Sequence, residues 1–327
     1  MELVSLADVR SAQRLIGTAT GPSAAVRTPL LPLLSDARQL LSDAGRQLWV
    51  KPENLQPTGA FKIRGALHAV AALPPDIRAR GVVTYSSGNH ARAIAHAART
   101  FGVPATVVVP STAPAAKVAA ARALGAEIVP VQVADREVRA QEIAEGSGAA
   151  LIPPFDDRAV IAGQGTAGLE IAEDLDVDVV VAPISGGGLI SGVAAAVKAL
   201  RPAAKIIGVE PELAADARAG LLAGHRVPWP VEERTRTSAD GLTAEPSELT
   251  FAHLSALVDD IVTVSETEIA STVGVLAREA RIVAERSGAV SVAACLHRTL
   301  PPGRTAAIVS GGNIDAADLA TCLDAAD

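Results

Sequence analysis

The sequence predicts an α/β protein built on doubly wound, open parallel sheets, and three observations predict it. Short Val/Ile-rich runs alternate with Ala-rich helical stretches, as GVVTY, HARAIAHAARTFG, ATVVVP, AAKVAAARALG and AEIVPV between residues 81 and 131. The same rhythm returns in DVDVVVAPI, SGVAAAVKALRP and KIIGVEP between residues 176 and 211. The strand runs are short and rich in Val and Ile, the pattern of parallel strands that helices bury on both faces.

Each boundary has a local cause. Gly102, Gly125 and Pro202 stop helices, and Pro110 and Pro130 are expected to end strands. Length suggests two domains, although no Gly/Ser linker marks a joint. The Pro-bearing stretches Ala71–Asp76 and Pro153–Asp157 are the expected crossing points. They give a large domain of residues 1–75 and 157–327 and a smaller inserted domain of residues 76–156.

Composition narrows the function classes. With 327 residues and 49% hydrophobic content the chain can bury one large or two modest cores. A net charge of -7, with no Lys/Arg cluster, argues against a nucleic-acid surface but leaves room for small anionic metabolites. Cys295 and Cys322 have no C-x-x-C spacing, so neither a disulfide framework nor a zinc site is expected. The segment MELVSLADVRSAQRLIG does not read as a secretory signal, and no apolar run reaches the roughly 18 residues of a spanning helix. The expectation is a cytoplasmic protein without membrane contact.

Four segments at strand-to-helix junctions could carry chemistry. In KPENLQPTGAFKIRGA, Lys51 to Ala66, a compact Thr-Gly-Ala turn leads into Phe61 and Lys62 at the start of a helix. A lysine there can form a Schiff base with an aldehyde, and desolvation frees its proton; taken alone it reads as an ordinary surface lysine. In SSGNHARAIA, Ser86 to Ala95, the unpaired amides of a helix start favour an anion such as a carboxylate. The alternative is an N-cap by Ser86 or Ser87. In ISGGGLISGVAAA, Ile184 to Ala196, successive glycines let the backbone fold around phosphate oxygens, unless they form only a tight turn. The run does not match G-x-x-x-x-G-K-[ST]. In AAIVSGGNIDAADL, Ala306 to Leu319, Ser310 ends a β-rich run, where a hydroxyl can bond an uncharged ring nitrogen or simply belong to a turn.

In this order and at these separations, the four segments resemble the serine racemase, threonine dehydratase and serine dehydratase family of fold type II pyridoxal phosphate (PLP) enzymes. The resemblance runs from Thr28-Pro29-Leu30 to the Ser310 loop and includes GQGT, Gly163 to Thr166. It implies a large domain and a smaller inserted one, each with an open doubly wound sheet. It also implies that Lys62 carries PLP, that Phe61 and Gly241 lie on the two faces of its ring, and that Asn89 bonds its hydroxyl. Ser185, Gly186, Gly187, Gly188 and Leu189 would cradle the phosphate, and Ser310 would meet the ring nitrogen. Ser86, Ser87, Asn89 and His90 would gather the substrate carboxylate.

The implied reaction is dehydration of L-threonine or L-serine through an aminoacrylate to a 2-oxo acid and ammonia, with Lys62 as base. Ser87 stands where serine racemases place a second acid/base, so racemisation is an alternative. Arg136 stands where an arginine can meet a second carboxylate, which would select 3-hydroxyaspartate; the competing reading is an exposed pair with Asp135 or Glu137. By the same resemblance Glu210, Asp216 and the Ala214 carbonyl would bind Mg²⁺ or Ca²⁺. One departure stands out: family members commonly read Glu-Pro-Ser/Ala-Gly-Ala where this chain reads Glu285-Arg286-Ser287-Gly288-Ala289. Arg286 either changes the stiffness of that loop or sits in solvent. The short C-terminal stretch after Ser310 fits a catabolic or specialised homodimeric dehydratase without isoleucine feedback. Lys62 argues against a non-catalytic ligand-binding homologue, and an NAD enzyme would want G-x-G-x-x-G within the first fifty residues, which contain none. Cysteine synthesis by β-replacement is the remaining rival.

Overall fold

The computed structural model describes residues 2–19, 24–33 and 45–325. In chain order its strands are β1 (Leu31–Pro32), β2 (Arg46–Pro52), β3 (Val82–Tyr85), β4 (Ala105–Pro110), β5 (Glu127–Val131), β6 (Ala150–Leu151), β7 (Val179–Pro183), β8 (Lys205–Pro211), β9 (Asp260–Val264) and β10 (Gly303–Val309). Its α-helices are α1 (Leu6–Ile16), α2 (Lys62–Ala72), α3 (Pro75–Ala79), α4 (Asn89–Phe101), α5 (Ala115–Ala123), α6 (Arg136–Ser147) and α7 (Arg158–Asp174), followed by α8 (Gly188–Leu200), α9 (Asp216–Ala223), α10 (Val231–Arg234), α11 (Glu248–Leu257), α12 (Glu266–Val275), α13 (Arg286–His297) and α14 (Ala316–Asp324).

The strands form two sheets. One has the order β1-β2-β10-β7-β8-β9, parallel throughout except for β1 against β2, and the other has the parallel order β5-β4-β3-β6. Every residue of β7 is buried, because α12 and α13 cover one face of the larger sheet and α7 and α8 the other. The smaller sheet is packed by α2 and α4 on one face and by α6 on the other. Both sheets are thus wound by helices on both sides, the expected α/β class. Among the described residues no helix is long and apolar enough to cross a membrane.

Several local signals act as read from the sequence. Gly102 ends α4 at φ +66, and Gly125, at φ +93, follows α5. Asp157, which the sequence reading placed only at a crossing point, caps α7 by accepting from the Val160 amide at 2.8 Å. Pro130 differs from expectation: it lies inside β5, paired with Val109, rather than after a strand. β5 is an edge strand, so one side of its backbone has no ladder partner and proline costs no hydrogen bond there. β2 was not anticipated, yet it pairs along its whole length with β10.

The GQGT segment has a packing role behind the site. A Cβ on Gly192 of α8 would lie 2.1 Å from the Ile161 carbonyl oxygen and 2.6 Å from the Gly165 amide nitrogen. Only hydrogen on these α-carbons lets α7 and α8 cross so closely. Gly163 meets Gly65 of α2 in the same way, and the Gly65 amide donates to Gln164 Oε1 at 3.1 Å. The helix that begins with Lys62 is therefore seated on α7.

Candidate active site

Parallel strands bring their C-terminal loops to one edge, and the sequence segments singled out above follow such ends. Ser310–Asn313 follows β10, Ile184–Gly187 follows β7, and the turn leading to Lys62 follows β2; Ser86–Gly88 follows β3 and Ile152–Phe155 follows β6. Loops from the two sheets touch. Lys62 Nζ donates to the Pro154 carbonyl at 2.7 Å, and Asn313 Nδ2 donates to Asn89 Oδ1 at 2.7 Å.

Lys62 is the first residue of α2, and the Phe61 amide donates to the Ser310 carbonyl at 3.0 Å, tying the lysine turn to the serine loop. Its ammonium lies 5.1 Å from the centre of the Phe61 ring. Burial lowers the lysine pKa to about 8, so an amine at neutral pH is readily available. The surface-lysine alternative does not describe this side chain.

The glycine loop opens α8. Gly187, at φ +83, takes the left-handed turn that points the chain into the helix. The amides of Gly186 to Leu189 have no backbone acceptor among the described residues, as expected at a helix start. Ser185 Oγ accepts from the Ala244 amide at 3.0 Å and so joins this loop to the segment after Gly241. A Cβ on Gly186 would lie 2.2 Å from the Phe155 ring, so that ring covers the loop. An aldehyde carrier with a phosphate tail fits these residues: a desolvated amine for the aldehyde and a row of free amides at a helix N-terminus for the phosphate.

At the start of α4 the N-cap is Gly88, with no side-chain cap, and Ser86 Oγ accepts from the Gly88 amide at 3.2 Å. The serine N-cap alternative is therefore not how this helix begins. Ser87 lies half-buried in the same turn. His90 is buried with Nε2 3.2 Å from the Ile152 carbonyl, while Nδ1 has no partner. Burial and the nearby Lys62 charge pull its pKa down to about 3, so the imidazole is neutral with the proton on Nε2. Asn89 Nδ2 donates to Glu285 Oε1 at 2.6 Å, and burial raises that carboxyl to about 7 against the opposing pull of the Asn89 bond.

Gly241 and Ser310 meet on α13: the Gly241 amide donates to Ser287 Oγ at 2.9 Å and Ser310 Oγ donates to the Ser287 carbonyl at 3.4 Å. Arg136 begins α6, its Nε buried without a hydrogen-bond partner, and its charge acts on the Tyr85 hydroxyl at the end of β3. The proposed cation residues are apart from these. Glu210 is the penultimate residue of β8 and accepts from the Ala217 and Arg218 amides at 2.9 and 2.8 Å; Asp216 begins α9 with Oδ2 buried and unpartnered. Burial raises both carboxyls, Asp216 to about 6. Ala214 is buried beside them, and among the described residues no group of three or more His, Cys, Asp or Glu could hold a metal.

Sequence reading missed a buried ionic cluster directly behind Lys62. The Arg64 guanidinium donates to Glu53 Oε2 and Oε1 at 2.7 and 2.8 Å and to Glu170 Oε1 and Oε2 at 2.7 and 2.9 Å. Lys51 Nζ adds a 2.6 Å bond to Glu170, and Thr28 Oγ1 one to Glu53 at 2.6 Å. Two cations and two carboxylates cancel, and each polar atom is satisfied, which is what permits the burial. The signal was the density of charge within Lys51–Arg64, where Lys51, Glu53, Lys62 and Arg64 fall within one short segment.

A family model described as pyridoxal-phosphate dependent enzyme matches residues 23–311. The chain is 43% identical over 320 residues to an L-threonine ammonia-lyase of Thermotoga maritima, covering 96% of this chain and 76% of that one. It is 41% identical to an L-threo-3-hydroxyaspartate ammonia-lyase of Saccharomyces cerevisiae, over 91% of both chains. Among solved structures, maize serine racemase superposes with a TM-score of 0.90 at 36% identity, covering 99% of this chain and 98% of that chain.

Proposed function

Because the chain belongs to the pyridoxal-phosphate dependent enzyme family, we propose that Lys62 is the residue that carries PLP in an ammonia-lyase taking L-threonine and L-serine to 2-oxo acid and ammonia. The observation that carries the reading is one juxtaposition. A lysine lowered to about 8 stands at a helix start, bonded to Pro154 of the loop whose Phe155 covers the free amides of Gly186 to Leu189.

When bound, PLP supplies an electron sink that makes the α-C–H bond of an attached amino acid acidic. The chain's own residues do the rest. Ser185 and the amides of Gly186, Gly187, Gly188 and Leu189 bind the phosphate; Phe61, Asn89, Gly241 and Ser310 hold the ring. Ser86, Ser87, Asn89 and the backbone amide of His90 bind the substrate carboxylate through donors without adding charge. Lys62, near its own pKa at neutral pH, takes and returns the α-proton. Ser87 is the second group able to carry a proton, so serine racemisation is the alternative outcome at the same site. Phe155 excludes water from the glycine loop. Reduction with borohydride in the presence of PLP, followed by peptide mass spectrometry, should place a pyridoxyl adduct on Lys62; an adduct elsewhere, or none, removes the proposal. A panel of L-threonine, L-serine and L-threo-3-hydroxyaspartate assayed for 2-oxo acid and ammonia, with D-serine measured in parallel, identifies the reaction.

The orphaned Asp216 Oδ2 supports a second element, a divalent cation (Mg²⁺ or Ca²⁺) held by Asp216, Glu210 and the Ala214 carbonyl. Chelation should lower the melting temperature of the native protein and Mg²⁺ should restore it; indifference to both rejects the site. A cytoplasmic homodimer acting on a small amino acid, divided into residues 1–75 with 157–327 and residues 76–156, completes the proposal. The smaller sheet, between residues 82 and 151, supports that division, and sedimentation checks the dimer.

A further inference from the structure

The first turn of α13 touches several parts of the proposed PLP site. Ser287 meets Gly241 and Ser310 as described, and the Glu285 side chain meets Asn89. The Glu285 amide donates to the Gly311 carbonyl at 3.0 Å, and a Cβ on Gly288 would lie 2.1 Å from that same oxygen. A shift of this turn would therefore move the site from more than one side. Yet the turn has no side-chain cap of its own, because Glu285, its N-cap residue, is turned towards Asn89.

What holds the turn is Arg286. Its Nε lies 2.9 and 3.0 Å from the two Asp318 carboxylate oxygens and its Nη2 lies 2.6 Å from Oδ1, a forked pair that leaves the arginine side chain only 16% exposed. Asp318 is on α14, the helix entered from the Ser310–Asn313 loop, and Arg286 Nη1 reaches Ser238 Oγ at 3.4 Å, three residues before Gly241. The arginine thus ties the start of α13 to the continuations of both loops that it supports.

Resting on the PLP reading above, we infer that Arg286 is a positioning residue. Its ion pair with Asp318 fixes the first turn of α13, and through Glu285 and Ser287 it fixes the residues that hold the cofactor ring. Arg286 is the first helical residue, where the amide has no intrahelical partner and proline is favoured for its fixed φ. A proline here would stiffen the turn from within; this chain stiffens it by an outside tether.

The test is PLP affinity of the apoprotein, measured by titrating absorbance, alongside visible circular dichroism of the bound cofactor, kcat and KM. Arg286→Ala and Asp318→Ala should each weaken PLP binding by about tenfold, equivalent to ~1.4 kcal/mol. They should also change the cofactor's dichroism and lower kcat more than they raise KM. The double variant should be no worse than either single one, as a shared interaction requires. Arg286→Pro should recover most of the affinity. The inference is overturned if the alanine variants lose only melting temperature while affinity and dichroism are unchanged, or if Arg286→Pro binds PLP as poorly as Arg286→Ala. Borohydride labelling of Lys62 in the parent protein separates this failure from failure of the PLP reading, because the adduct on Lys62 does not depend on the tether.

Discussion

Asn89 Nδ2 and Glu285 Oε1 are 2.6 Å apart, a bond that joins the start of α4, beside the smaller sheet, to the start of α13, beside the larger one. The carboxyl it reaches is raised to about 7 by burial, and the linkage has a definite sign. A carboxyl whose folded pKa exceeds its unfolded one contributes stability that is present below the unfolded value, near 4.5, and is lost as pH rises through about 7. The loss is at most ~3 kcal/mol. Glu285→Gln keeps an acceptor for Asn89 without the titration. Urea unfolding of the apoproteins should find the variant's advantage over the parent small near pH 5 and clearly larger at pH 8. An equal difference at both values would show that the carboxyl does not titrate in this window.

Arg64 is the centre of a cluster that seats the Lys62 helix. Its side chain is 2% exposed, and Arg64→Met would leave Glu53 and Glu170 facing each other with only Lys51 between them. Removing one member of a buried, hydrogen-bonded ionic group costs about 3–5 kcal/mol. Arg27 is the control, since it pairs with Glu173 and Asp174 in solvent at 46% exposure, and Arg27→Ala should cost no more than ~1 kcal/mol. Comparable losses for the two variants in denaturant unfolding would mean that burial does not set the strength of these pairs.

The contrast between local and distant causes explains what the sequence disclosed. β7 is legible because a strand covered on both faces must be apolar at every position, and the junctions at Ser86, Gly186 and Ser310 are legible because glycines and serines cluster where a strand hands over to a helix or loop. β2 was not, because Gln47 and Lys51 interrupt its pattern, and Lys51 is buried through distant partners, the Thr28 carbonyl and Glu170, the latter 119 residues away. Pro130 misled for a related reason: its tolerance depends on β5 lying at a sheet edge, which is a property of the assembled sheet. Among site residues, Lys62 and the glycine loop declare themselves within a few positions. Arg64, which needs Glu170 at a separation of 106, and Arg286, which needs Asp318 at 32, do not.

Two glycine positions should respond differently to the same change. On Gly186 a Cβ would meet the Phe155 ring, a side chain that can be trimmed; on Gly192 it would meet the Ile161 carbonyl, backbone that cannot. Gly186→Ala should weaken PLP binding by about tenfold, and Gly186→Ala combined with Phe155→Ala should regain most of it. Gly192→Ala should destabilise the fold by about 3 kcal/mol or more, and the Phe155 change should not help. Failure of Phe155→Ala to rescue Gly186→Ala in the PLP titration would mean that the loop, not the ring, resists the added methyl.

Substrate choice turns on Arg136. Its Nε is buried at the start of α6 with no partner, a costly arrangement unless something binds there, and its charge is felt by Tyr85, whose hydroxyl burial raises to about 12. Tyr85 immediately precedes Ser86, the first residue of the segment proposed to hold the substrate. A charge-assisted bond from Arg136 to a second carboxylate would contribute about 1.5–3 kcal/mol, roughly 10- to 100-fold in kcat/KM. L-threonine and L-serine have no group to take that bond. Arg136→Ala should therefore lower kcat/KM for L-threo-3-hydroxyaspartate within that range while leaving the monocarboxylic substrates within about twofold. A uniform fall for all three substrates would assign Arg136 to the fold of α6, and no fall for any would leave its buried nitrogen without a functional partner.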